Sequence, residues 1–457
     1  MSKRDQDREL SRRALVKWSL AAGAALGLGR GRIAEVLERT AGSGVAQAAG
    51  DLPTKRSVHI RAVTGGLAWF QLLWPHNDIA DAAATNATFP YHRPGQHQRV
   101  AGTDRPLTIG PDTPFAALPA RRQITAYMAG ENETHETQPD SITQSLGGKS
   151  MFAIAAALQA QAPAVVPVIA VGDSKLGSAP GAPAAAVVPT GDDIVGLFNS
   201  AASRAGGLLA TGAHADLYRA QFATLAALNR AAERPTTKVP YATARSAAGF
   251  LGTNLAARLQ ITAADLAAYG IDGTTRADIA ALGRALIVTA KAFAMNLTSS
   301  VIVPGPRDDP HPAFANLPAT TAVAGSLKRV LDGFMNHLAG LTDDPTGRPL
   351  SEELVLTIDG DTPKTPLSRQ NWLDDTPANS NWMFVLGGGM LRTGWFGGVT
   401  RTGAVTGFDP ATGQERSYQG DAQAEAACTA VAYAIARGDT RRVQDFSRVD
   451  ISGLVAP

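Results

Sequence analysis

Three stretches of this chain bring nucleophilic, imidazole and carboxylate side chains close together. In Arg307-Asp308-Asp309-Pro310-His311, the Asp309 carboxylate and the His311 imidazole stand two residues apart, a spacing that lets both reach one cation. Glu131-Asn132-Glu133-Thr134-His135-Glu136 sets the Thr134 hydroxyl beside the His135 imidazole, with carboxylates on both sides. That pairing lets a base draw the proton from a nucleophile. Asp359, Asp361 and the pair Asp374-Asp375 offer hard oxygens suited to a divalent metal. Each stretch also has a plainer reading: Asp-x-His is common, the glutamate-rich run makes an ordinary solvated loop, and Thr357 to Pro363 is a strong turn sequence. The candidate catalytic residues are therefore Thr134 and His135, and the candidate ligands for one divalent metal ion are Asp309, His311, Asp375 and Asp359. His59, His214 and His337 lie in apolar surroundings and read as core or surface histidines. No P-loop, dinucleotide fingerprint, His-Glu-x-x-His helix or Gly-x-Ser-x-Gly elbow occurs in the sequence.

Two kinds of element must position these groups. Apolar, β-branched runs at 57–64, 123–129, 164–171, 299–305, 353–359 and 382–388 predict strands. Most are continuous rather than alternating, as in a sheet covered on both faces. Apolar residues at three- and four-residue spacing predict helices over 149–161, 213–230, 243–258, 275–297, 321–339 and 420–437. The fifth of these should start after Pro318, capped by Thr320 or Thr321, and stop at Gly340; the last should stop at Gly438. Alternation of strands and helices predicts an α/β protein with a mostly parallel sheet. The Ala- and Pro-rich run 178–189 reads as an extended surface connection, Gly387-Gly388-Gly389 as a turn, and residues 195–295 as a helical insertion within one domain. Cys428, the single cysteine, falls on the small-residue face of the last helix and reads as a buried, inert thiol.

The 457 residues carry 42 Lys+Arg against 40 Asp+Glu, and 44% are hydrophobic. That balance excludes a disordered tail protein and a polytopic membrane protein. The net charge of +2 hides an asymmetry: residues 1–48 carry nine basic and five acidic groups, leaving the remainder at about −2. Within them, Ser11-Arg12-Arg13-Ala14-Leu15-Val16-Lys17 precedes a short apolar run, Leu20 to Gly29, too brief to span a hydrocarbon core of ~30 Å. The segment resembles a twin-arginine export signal, with Ala46-Gln47-Ala48 as a cleavage motif. The expectation is a signal at 1–48, a mature domain at 49–457 without a transmembrane anchor, and a periplasmic or secreted location. No run of basic residues with interleaved aromatics points to nucleic acid.

Taken in order, the segments resemble the uncharacterised bacterial family known as domain of unknown function fifteen-oh-one, twin-arginine-exported proteins related to sulfatases and alkaline phosphatases. The resemblance runs from the signal to about residue 410 and rests on order and spacing. The family's first strand leads to Gly-Gly-x-Asp-Gly, and here to Gly65-Gly66-Leu67-Ala68-Trp69. Its Ser-His-Phe is matched by Thr134-His135-Glu136, and its Trp-Asp-Thr-His by Asp309-Pro310-His311. Its Ser-Glu-Phe-Gly-Arg-Thr-Pro is matched in frame by Thr357 to Pro363, its Asp-His pair by Asp375-Thr376, and its closing Gly-Gly-Gly by Gly387 to Gly389.

The resemblance implies an alkaline-phosphatase/sulfatase-like sandwich in which carboxylates and imidazoles hold metal and activate a hydroxyl. The departures fall on charged positions: Ala68 replaces an aspartate, Ile358 a glutamate, Asp361 an arginine and Thr376 a histidine. Two functions follow. One is an exported sulfatase-like protein with a degraded metal site, binding a ligand or partner in the cell envelope without catalysis. The other is a metal-dependent hydrolase of phosphate or sulfate esters.

Overall fold

The structure, a computed structural model, describes residues 54–62, 73–83, 95–131, 141–162, 164–198, 253–307, 316–360 and 377–457, with positions 216, 220, 243, 247 and 250. All six expected strands form, and two more join them in one eight-stranded sheet. In chain order they are β1 (Arg56–Ala62), β2 (Thr125–Ala129), β3 (Val168–Val171), β4 (Ala186–Val188), β5 (Ser300–Pro304), β6 (Leu354–Gly360), β7 (Asn381–Leu386) and β8 (Gly394–Phe396). Across the sheet the order is β8-β2-β7-β6-β1-β5-β3-β4. Seven strands run the same way; β7 pairs antiparallel with both β6 and β2. The molecule is thus mixed α/β around a mostly parallel sheet.

Burial on both faces explains the continuous apolar runs. Every residue of β1, β2, β6 and β7 is buried. Successive side chains of a strand point to opposite faces. Val58, Ile60, Leu356, Ile358, Trp382 and Phe384 enter one apolar cluster, where helices α2 (Ala277–Ala294) and α3 (Leu317–Ala339) cover the sheet. Val355, Met383, Val385 and Tyr127 enter the other, under α1 (Met151–Gln159) and α4 (Gly420–Ile435).

The helix ends have local causes. Ser150 caps α1, its Oγ accepting from the Phe152 N–H at 3.2 Å. α3 begins earlier than its sequence suggests. Asn316 is the cap, accepting from the Ala319 N–H at 3.2 Å, and Pro318 sits in the first turn, where a missing N–H costs nothing. Thr320 is inside the helix, and its hydroxyl donates back to the Asn316 carbonyl. The stop at Gly340 is as expected. α4 ends at Ile435, and Gly438, at φ +83°, takes the left-handed turn beyond it. Its alanine-rich face lies against β2, and Cys428 is buried there with Sγ donating to the Ile142 carbonyl at 2.8 Å.

Two local expectations need correction. The 178–189 run holds β4, an edge strand of the main sheet, because Ala186 to Val188 pair with Ile169 to Val171. The turn expected over Thr357 to Pro363 does not start at Thr357: residues 357 to 360 complete β6, since parallel pairing with β1 overrides the local turn preference. Within the helical insertion, α2 is one of the helices covering the sheet. The expected helix at 213–230 lies outside the described residues except at positions 216 and 220, and so do residues 244–246, 248–249 and 251–252 of the one expected at 243–258.

Candidate functional site

Parallel strands bring their carboxyl ends to one edge. β1, β2, β3, β5 and β6 all end there, at Ala62, Ala129, Val171, Pro304 and Gly360, and antiparallel β7 starts there at Asn381. Ligands of open α/β sheets bind outside this edge. The sequence candidates Thr134 and His135 follow β2, Asp309 and His311 follow β5, and Asp375 precedes β7. All five lie outside the described residues.

Asp359, the remaining candidate, is placed in β6 directly across from Arg61 of β1. Arg61 Nε donates to Asp359 Oδ2 at 3.2 Å, and the two side chains are 3% and 0% exposed. The guanidinium also lies over the Phe152 ring, 5.1 Å from its centre, a cation–π contact out of water. A carboxylate expected to hold a metal is therefore engaged by a resident cation.

The pair ends a polar ladder running beneath α1. One step inward, His59 Nδ1 and Thr357 Oγ1 are 2.8 Å apart, and the imidazole packs 4.9 Å from Phe152. Further in, the Ser57 and Ser300 hydroxyls are 2.9 Å apart, and the Gln159 amide donates to the Lys55 carbonyl at 2.8 Å. Alternation sets this pattern. Ser57, His59 and Arg61 share one face of β1, and Thr357 and Asp359 share the same face of β6.

Burial, reinforced by the nearby Arg61 charge, pushes the His59 imidazole down to about 3. His59 therefore stays neutral in the folded protein while the unfolded chain takes a proton near its usual 6.5. The unfolded state binds more protons between these values, so this contribution to stability is complete above about 6.5 and is lost as pH falls toward 3. His76, pressed edge-on against Trp395 at 5.3 Å, is lowered to about 4 by burial and acts in the same direction. We expect urea midpoints to fall steadily from neutral pH to about pH 4. In His59→Asn the slope should shrink by one proton; an unchanged slope would assign the acid sensitivity elsewhere.

The opposite face of the same edge is aromatic. Phe384 sits 4.7 Å from Trp74, 5.1 Å from Trp382 and 5.8 Å from Trp395, measured between ring centres. A Cβ on Gly360 would overlap the Trp382 indole, so β6 needs glycine at its last position. Next to β2, the Tyr418 hydroxyl donates to the Gly130 carbonyl, and burial pushes that phenol well above its ordinary range. Beyond β3, a cleft of about 550 Å³ is lined by Asp173, Ser174, Lys175 and Val187, among others. Arg307 pairs with Asp173, and its backbone N–H donates to Asp278 at 3.2 Å, fixing where the chain leaves β5.

Among the described residues, no three His, Cys, Asp or Glu side chains stand close enough to hold a metal ion. Two histidines read as structural are so placed: His59 in the ladder, and His337, whose Nδ1 lies 3.0 Å from the Tyr269 hydroxyl. Sequence reasoning missed Arg61. Its signal was an arginine in the middle of an apolar run, on the same alternation as His59. No described helix is long and apolar enough to cross a membrane. Compared with known proteins, the chain matches no family model, no curated protein and no solved structure.

Proposed function

We propose that this is an exported sulfatase-like protein whose metal site is degraded, and that it acts as a non-catalytic binding or structural protein of the cell envelope. The observation that carries this reading is the Arg61–Asp359 pair. A dication at Asp359 would have to displace a guanidinium already paired with that carboxylate inside the protein, and two cations sharing one buried carboxylate repel strongly. Ile358 supports it too. It stands where the resembling family has a glutamate, and it is fully buried in the apolar cluster on the other face. The resemblance of residues 1–48 to a twin-arginine export signal supports a periplasmic or secreted location, where an envelope ligand or partner would be met.

One observation favours the second reading, a metal-dependent ester hydrolase. In sequence, Thr134 and His135 follow β2, Asp309 and His311 follow β5 and Asp375 precedes β7, three strands whose ends at those points lie on one edge of the sheet. In that reading Thr134 is the nucleophile, His135 its base, and Asp309, His311 and Asp375 the ligands of one divalent ion.

Elemental analysis of the purified mature protein separates the two. The non-catalytic reading expects no stoichiometric zinc, manganese, calcium or iron and no turnover of generic phosphate or sulfate esters. Near-stoichiometric metal that disappears in an Asp309→Ala/His311→Ala double variant would overturn it in favour of the hydrolase.

A further inference from the structure

We draw no further inference here: the strongest candidate, the cleft of about 550 Å³ between Ala170 and Val187 of the sheet and the glycine-, alanine- and proline-rich loop that joins β3 to β4, is lined mostly by small apolar residues, its Asp173 already pairs with Arg307, and nothing in the structure shows what covers it.

Discussion

Replacing Arg61 by methionine should cost about 3 to 5 kcal/mol of folding free energy, measured as a drop in the urea midpoint at unchanged slope. Arg61 and Asp359 sit at adjacent register positions of two central parallel strands, both out of water. In Arg61→Met the Asp359 carboxylate stays buried and loses the charge that offset its desolvation. Methionine fills much of the arginine's volume, so the loss reports charge rather than a cavity. The double variant Arg61→Met/Asp359→Leu separates these contributions. It removes both charges together and should recover most of the stability, because a buried pair exchanged for well-packed apolar groups is often neutral or better. If Arg61→Met is as stable as the parent, the pair is not isolated from water, and the argument against a metal at Asp359 fails with it. If it destabilises as expected and the double variant recovers, Asp359 serves the fold.

Phe384→Ala should be as severe, also at about 3 to 5 kcal/mol. Its ring is 1% exposed and lies at the centre of a cluster in which three tryptophans approach it from β7, β8 and the segment ahead of the helix Asn77–Ala83. Truncation leaves a cavity walled by large rigid rings that cannot collapse into it, so the loss should fall at the upper end for aromatic truncations. Phe384→Leu should recover about half, since it restores apolar volume without the ring contacts. Thermal unfolding followed by near-ultraviolet circular dichroism reads both stability and the tryptophan environment. An alanine variant with an unaltered aromatic spectrum and midpoint would show that the cluster packs elsewhere.

The layout of the fold was legible because burial on both faces writes itself into a strand as continuous apolar sequence. SVHIRAVT, QITAYMA and ELVLTID each mark a core strand, and Gly340 and Gly438 mark helix stops. What escaped was decided by distant partners. β4 is three residues long and lies in an Ala- and Pro-rich run, and it becomes a strand because β3 offers it a free edge. Gly360 belongs to β6 through pairing with Ala62 and through the indole of Trp382, neither of which is visible locally. The start of α3 moved to Asn316 because proline in a first turn marks a helix beginning as readily as a boundary. For the site, the reading of isolated motifs singled out Asp359 for its carboxylate and passed over Arg61. Only the strand register sets the two opposite each other and changes a candidate ligand into half of an ion pair.

The placement of β1 has a consequence for how this protein is made. The first strand among the described residues is a central strand of the sheet, and its hydrogen-bonding neighbour β6 stands 298 residues downstream, as at His59 and Thr357. At a synthesis rate of about 5 to 20 residues per second, the ribosome needs roughly 15 to 60 s to deliver the partner after β1 has emerged. Its other neighbour, β5, stands 243 residues downstream, as at Ser57 and Ser300, so for most of that interval an apolar strand carrying His59 and Arg61 has neither of its sheet neighbours, and the core cannot close from the amino terminus outward. The nascent chain must be kept from aggregating until nearly all of it has been translated, which makes completion of the sheet an event that follows synthesis.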